Sequence, residues 1–263
     1  MLVLSHSGRL LLRYLAYWRR ATNAHGIHSP FVFALYNEVI GVRPAAPPAL
    51  VAVEDLRGRL ATDARPLVQT DLGAGMTRPA RTVADVARRA ALPPHWGRLL
   101  FRLASHYQPA VVFDLGTSLG ISALTMAAGS PAARIVTFEG CPATAQVARE
   151  NFAARHATTI TLVEGDLDQT LAAQVAAVPR LDFVFFDANH RYDPTLRYFE
   201  TCLTKAHPGS VFVLDDIHWS AEMARAWEAI KAHPRAVITA DLFRFGLVFF
   251  RENQARQHFT LRF

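Results

Sequence analysis

The sequence predicts an α/β chain: a largely parallel sheet with helices between its strands, closed by an antiparallel hairpin and preceded by a helical extension. Three observations carry this. V-V-F-D-L-G-T-S-L-G (111–120) is an unalternated apolar strand running into a glycine-bracketed turn, the pattern of a strand buried on both faces. From there strand and helix patterns alternate strictly to about residue 233. The chain then ends in two apolar runs joined by only a few residues around Arg244–Gly246, too short a connection for anything but an antiparallel pair.

Element by element, strands are expected near 111–116, 134–139, 160–164, 181–187 and 210–215, followed by A-V-I-T-A-D-L-F and L-V-F-F-R. Helices fall near 118–129, 142–156, 167–177, 194–206 and 219–233. Ser118 reads as the cap of the first of these, and Cys141-Pro142 and Asp193-Pro194 read as cap-plus-first-position pairs. Trp96–Tyr107 is a helix leading into the first strand. Upstream, Leu11, Tyr14, Leu15 and Trp18 share one face of a helix studded with Arg9, Arg13, Arg19 and Arg20. Ser29 and Pro30 open a helix to about Ile40, and a Pro-rich linker follows. D-L-G-A-G at 71–75 imitates the 114–120 turn, but no good strand precedes it and no strand ending in an acidic residue follows 20–25 positions later. Residues 71–96 are therefore expected to be a loop and short helix acting as a lid. The division is 1–95, extension and lid, and 96–263, catalytic domain.

Composition narrows the function classes. Half of the residues are hydrophobic, ample for a packed core in 263 residues. Two cysteines, Cys141 and Cys202, form no disulfide or zinc pattern, which points to a reducing, cytoplasmic setting. No apolar run approaches the roughly 20 residues of a bilayer span. Residues 1–107 carry 14 Arg against 6 acidic residues, whereas residues 108–263 carry 14 basic against 16 acidic. The basic half suits its own domain, a second subunit in a homodimer, or an anionic membrane surface; the first two are favoured. His25 and His28 share a turn in which backbone satisfaction is favoured over metal binding.

The chemistry concentrates at strand ends. A glycine-bracketed turn at a helix N-terminus presents backbone N–H groups to a ligand. Glu139 ends the second strand 25 positions after Asp114, placed to accept hydrogen bonds from ribose hydroxyls. D-L-G-T-S-L-G followed by T-F-E-G resembles motifs I and II of class I S-adenosylmethionine-dependent methyltransferases. The resemblance covers about residues 96–251 and implies a Rossmann-like seven-stranded sheet of order 3-2-1-4-5-7-6 with its last strand antiparallel. It also implies that Asp114, Gly116, Thr117, Ser118, Gly120, Glu139, Gly140, Asp166 and Asp187 hold S-adenosyl-L-methionine. Asp166 is equally a natural N-cap, and both readings stand.

The fourth strand ends F-F-D-A-N-H-R-Y and the fifth V-L-D-D-I-H-W. Both resemble the catechol and caffeoyl-CoA O-methyltransferases, whose D-x-x-K and D-N motifs hold a divalent cation, usually Mg2+. Carried over, the ligands are Asp187, Asp215 and Asp216, and the convergence of three carboxylates favours a cation. His190 replaces the lysine. In sugar and macrolide O-methyltransferases, which the D-x-x-H-x-Y pattern also resembles, that histidine is the base. His190 is thus the expected base, at an unperturbed pKa near 6.5. H-G-I-H-S-P-F-V-F near the start is similar to bacterial members without an assigned acceptor, so the resemblance names no substrate beyond a small-molecule hydroxyl. Two alternatives remain. One is a nucleic-acid methyltransferase using the basic half, against which there is no N-P-P-Y-like motif and Cys141 is misplaced for a cytosine nucleophile. The other is a non-catalytic cofactor-binding module.

Overall fold

A computed structural model describes residues 6–67 and 81–263, so the D-L-G-A-G segment and the 71–80 part of the expected lid lie outside the described residues. The chain divides into two compact units, residues 43–179 and residues 1–42 with 180–263. Helix α1, His6–Arg20, leads through a short turn at Ala24–Gly26 into α2, Pro30–Leu35, which continues as a wider π turn to Ile40. Ser29 caps α2 by accepting from the Val32 N–H, with Pro30 at the first helical position.

The middle unit contains α3 Pro48–Leu60, α4 Val83–Ala90, α5 Pro94–Tyr107, β1 Val111–Leu115, α6 Ile121–Gly129, β2 Arg134–Glu139, α7 Pro142–Ala154, β3 Ile160–Glu164 and α8 Leu167–Ala176. Its three strands are parallel in the order β1-β2-β3, with Asp114 opposite Thr137 and Glu139 opposite Glu164. Val112, Phe113 and Leu115 are fully buried, as an unalternated apolar strand requires. Pro142 occupies the first position of α7 after Cys141, as expected, and Asp166 caps α8 through the Asp168 N–H. Ser118 does not cap α6. The cap residue is Gly120 at φ 86°, because Ser118 is drawn into the turn at φ 47° with its N–H turned to Glu139.

The other unit continues with β4 Leu181–Phe186, α9 Tyr192–Leu203, β5 Ala206–Leu214, α10 Ala221–Ala232, β6 Ile238–Asp241, β7 Gly246–Phe249 and β8 Gln257–Thr260. β4 and β5 are parallel, β7 runs antiparallel between β5 and β6, and β8 lies parallel to β6 at the edge. Each unit thus follows its part of the expected order, but among the described residues these strands number eight rather than seven, besides a separate antiparallel pair, Pro66–Leu67 with Arg81–Thr82, in the middle unit. β8 escapes the sequence pattern because Q-H-F-T has one apolar residue and no alternation to mark it. α9 starts at Tyr192 with Arg191 as cap, so Asp193 and Pro194 lie inside the first turn. Proline is tolerated there because first-turn N–H groups have no intrahelical partner.

The N-terminal segment packs on the end of the chain. Thr22 donates its N–H to the Thr260 carbonyl and accepts from the Arg262 N–H, extending the ladder past β8. Tyr17 is buried and donates its hydroxyl to the Leu261 carbonyl. Tyr14 meets Phe243 edge-to-face at 5.0 Å, and Phe31 meets Phe249 likewise at 5.0 Å. Thr22 thus pairs with the end of the edge strand.

Candidate functional site

The predicted site residues form one cluster in each unit. In the middle unit, apolar β1 ends in Asp114, which is fully buried beneath the turn. Its Oδ2 accepts from Thr137 Oγ1 at 2.7 Å and Ser122 Oγ at 3.0 Å, while Oδ1 has no partner among the described residues. Thr117, also buried, joins this network through Thr137 Oγ1 at 2.6 Å. Burial pushes the Asp114 carboxyl up to about 7, against the two hydroxyl bonds. Asp114 and Thr117, expected as cofactor contacts, share this buried network.

The turn itself needs unusual backbone. Gly116 sits at φ 121° and Gly120 at φ 86°, and a Cβ on Gly120 would lie 2.5 Å from Phe152 Cε1. Glu139 locks the turn from the end of β2: Oε2 accepts the Ser118 N–H and Oε1 the Cys141 N–H, both at 2.9 Å. Burial raises its pKa, although the backbone N–H groups of Cys141, Ser118 and Gly140 favour the ion. A carboxylate has about four acceptor sites, so these N–H bonds still leave capacity for a ribose hydroxyl. The turn and this carboxylate fit the polar ends of S-adenosylmethionine. Asp166 is engaged as the α8 cap.

In the other unit the cluster lies at the carboxyl ends of β4 and β5. Asn189 (φ 66°), His190 (φ 38°) and Asp216 (φ 54°) all hold left-handed backbone without being glycine. Strain of this kind collects at functional sites. His190 Nε2 is 3.3 Å from Asp187 Oδ1. Burial and then the charge of Asp215 push the Asp187 carboxyl up to about 7, against the His190 contact. Burial alone would lower the imidazole, but Asp187, with Asp216 and Asp215 behind it, pushes it up to about 9. That corrects the unperturbed value expected from the sequence.

The expected metal ligands do not assemble as a ligand set. Among the described residues, no group of three or more histidine, cysteine, aspartate or glutamate side chains is arranged to hold a cation. Arg244, from the β6–β7 turn, explains why. Its Nε lies 2.7 Å from Asp215 Oδ1 and its Nη2 2.7 Å from Asp215 Oδ2, a bidentate fork on a wholly buried carboxylate. The same Nε is 3.5 Å from Asp216 Oδ1. Arg244 has no motif around it, and only its sequence-distant partner reveals it. His218 was likewise missed: its Nε2 is 2.8 Å from Asp241 Oδ2, its ring stacks on Phe243 at 5.3 Å, and its carbonyl accepts from Arg13.

A family model described as a methyltransferase domain matches residues 113–217. Over 142 residues the chain is 34% identical to a catechol O-methyltransferase of Mycobacterium tuberculosis, covering 52% of this chain and 63% of that one. Over 133 residues it is 35% identical to a probable O-methyltransferase of the same organism, covering 46% of this chain and 55% of the other. It thus spans less than two thirds of the length of these curated relatives. Among solved structures, a cofactor-bound protein from MTB matches with a TM-score of 0.57 at 25% identity, covering 86% of this chain and 99% of that one. An O-methyltransferase of Bacillus cereus in complex with SAH shares the fold, with a TM-score of 0.56 at 20% identity over 83% of this chain and 97% of that one. The matched segment begins inside β1 and closes just after Asp216, so the part of this chain that is similar to a methyltransferase domain takes in the turn, Glu139 and the strand-end acids.

Proposed function

We propose that this chain methylates an oxygen of a small molecule, using S-adenosylmethionine. The observation that supports this most is the His190–Asp187 pair, held in strained backbone at a strand end where a Rossmann-like sheet meets its ligands. The bound cofactor supplies an electrophilic methyl group on a sulfonium. The protein's part is to hold it and to prepare the acceptor. Gly116, Ser118 and Gly120 shape the turn that receives the amino-acid end, Gly140 follows the Glu139 carboxylate that accepts from the ribose hydroxyls, and Asp166 flanks the adenine. His190 takes the proton of the acceptor hydroxyl at Nδ1, the ring nitrogen other than the one that faces Asp187, as attack begins, and Asp187 stabilises the imidazolium so formed. Positioning the oxygen about 3 Å from the methyl carbon is the remaining requirement.

The test is calorimetric and chemical. S-adenosylhomocysteine should bind with micromolar affinity, about −7 to −8 kcal/mol. Gly116→Leu should abolish that binding, since φ 121° and the space of the methionine end both forbid a side chain. Labelled S-adenosylmethionine offered with phenols, catechols and sugar hydroxyls should then yield an O-methyl product with at least one class. The names of the relatives make catechols the first acceptors to try. Binding without transfer to any oxygen acceptor would favour a cofactor-sensing module. The outer face of α1, where Leu11, Leu12, Leu15 and Trp18 stay exposed, is proposed as the contact between two copies, to be checked by sedimentation equilibrium.

A further inference from the structure

We propose that the Arg244 guanidinium takes the place of the divalent cation among the carboxylates at the ends of β4 and β5, so that the enzyme is built to work without a metal. This rests on the methyltransferase reading but concerns a different part of the protein from the cofactor turn.

A cation of the Mg2+ kind needs carboxylate oxygens with lone pairs turned to it at about 2.0–2.1 Å. Asp215 cannot offer them. It is completely buried, each of its oxygens is 2.7 Å from an Arg244 nitrogen, and Oδ1 also accepts the Asp216 N–H at 2.8 Å. The fork fills the carboxylate edge from which a cation would bind. Nor is Arg244 a loose surface side chain swung in by chance. Its carbonyl accepts the Ile217 N–H at 3.1 Å, tying the β6–β7 turn to the loop that carries Asp215 and Asp216. Its own N–H donates to the Leu242 carbonyl at 3.0 Å, and the Leu242 N–H donates to the Phe245 carbonyl at 2.9 Å. The turn is closed from both ends, so withdrawing the guanidinium would break two charge-assisted bonds and leave a buried carboxylate uncompensated.

The substitution changes the chemistry available. A guanidinium does not take an acceptor oxygen into its coordination sphere; it contributes fixed positive charge and N–H donors. The Nη1 donors take no part in either bond to Asp215. Proton removal then falls to His190, and the acceptor needs no second hydroxyl with which to chelate.

Titrating the full-length protein with MgCl2 by calorimetry decides the matter, with MnCl2 as a second probe. The wild type should show no saturable binding up to about 10 mM, well above the weakest dedicated cation sites. Arg244→Ala leaves Asp215 and Asp216 without the guanidinium and should gain saturable Mg2+ binding, with a melting temperature that climbs as Mg2+ is added. If that variant does not fold, Arg244→Gln keeps most of the volume without the charge and carries the same expectation. Saturable Mg2+ binding by the wild type overturns the inference, and so does a folded Arg244 variant as silent as the wild type. S-adenosylhomocysteine titrations on the same samples report separately on the cofactor turn: a loss there counts against the methyltransferase reading and leaves the metal result standing.

Discussion

At His190 the backbone is held at φ 38° and the ring lies 3.3 Å from Asp187, so its proton affinity belongs to the pair. Because the imidazole is pushed up to about 9, most of it is protonated at neutral pH and unable to act as a base. The sign follows: the base form grows as pH rises, so kcat/KM should climb from pH 7, pass half of its maximum near pH 9 and level only above it. His190→Ala should lower turnover by about 10²–10⁴-fold and flatten that limb, leaving S-adenosylhomocysteine affinity intact. A flat wild-type profile, with the variant within about threefold of the parent rate, would make His190 structural. The acids of this site are legible in the sequence because each ends an apolar strand, where a charge must meet a ligand or a counter-charge. Arg244 is not legible, since its meaning comes from Asp215, 29 residues away, and a turn arginine is ordinarily a solvated one.

At the scale of elements, β1, its turn and α6 act as one device that β2 clamps shut. Glu139 accepts from Ser118 inside the glycine turn and from Cys141 in the connection after β2, so its substitution should be felt twice. Glu139→Ala is expected to weaken S-adenosylhomocysteine by about 1.5–3 kcal/mol through lost charge-assisted hydrogen bonds. Glu139→Gln, which keeps one acceptor oxygen, should lose less. Calorimetry that finds the two variants equal to the parent would remove Glu139 from the site. Gly120→Ala tests the turn from the other side. A side chain there meets Phe152 and must hold φ 86°, so about 1–3 kcal/mol of stability should be lost in a urea titration. The strand ends and the glycine pair are readable from sequence because burial on both faces and positive φ restrict residue choice severely. Helix starts are less so. Ser118 and Asp193-Pro194 look like caps, yet tertiary demands, a carboxylate for one and an earlier start at Tyr192 for the other, displace them.

Over the whole molecule, the chain's two ends are joined within one unit, and the sequence only half discloses it. The aromatic load of residues 14–36 says that the segment must be covered, but not by what. The covering surface includes β8 and the residues after it, whose polar Q-H-F-T stretch gives no sign of being a strand. Thr22 continues the ladder beyond β8, Tyr17 reaches the Leu261 carbonyl, and Arg262 lies 4.9 Å over Trp18. Removing residues 1–42 would therefore uncover Phe249, Leu261 and the β6–β7 turn that carries Arg244. Each large apolar side chain so exposed forfeits about 1.5–3 kcal/mol, and a few of them rival the whole stability of a domain. The truncated chain should aggregate or melt well below the parent. A milder change keeps the idea testable if the truncation yields no soluble protein. Tyr17→Phe deletes only the hydroxyl bond to Leu261, worth about 0.5–1.5 kcal/mol, and should lower the melting temperature by a few degrees. The Arg244–Asp215 fork lies in the same unit, so the truncation should also loosen it, and its Mg2+ titration should move from the wild-type pattern towards that of Arg244→Ala. A truncated protein that stays soluble, melts with the parent and remains silent towards Mg2+ would show that the N-terminal helices are an attachment and that the β6–β7 turn holds its arginine unaided.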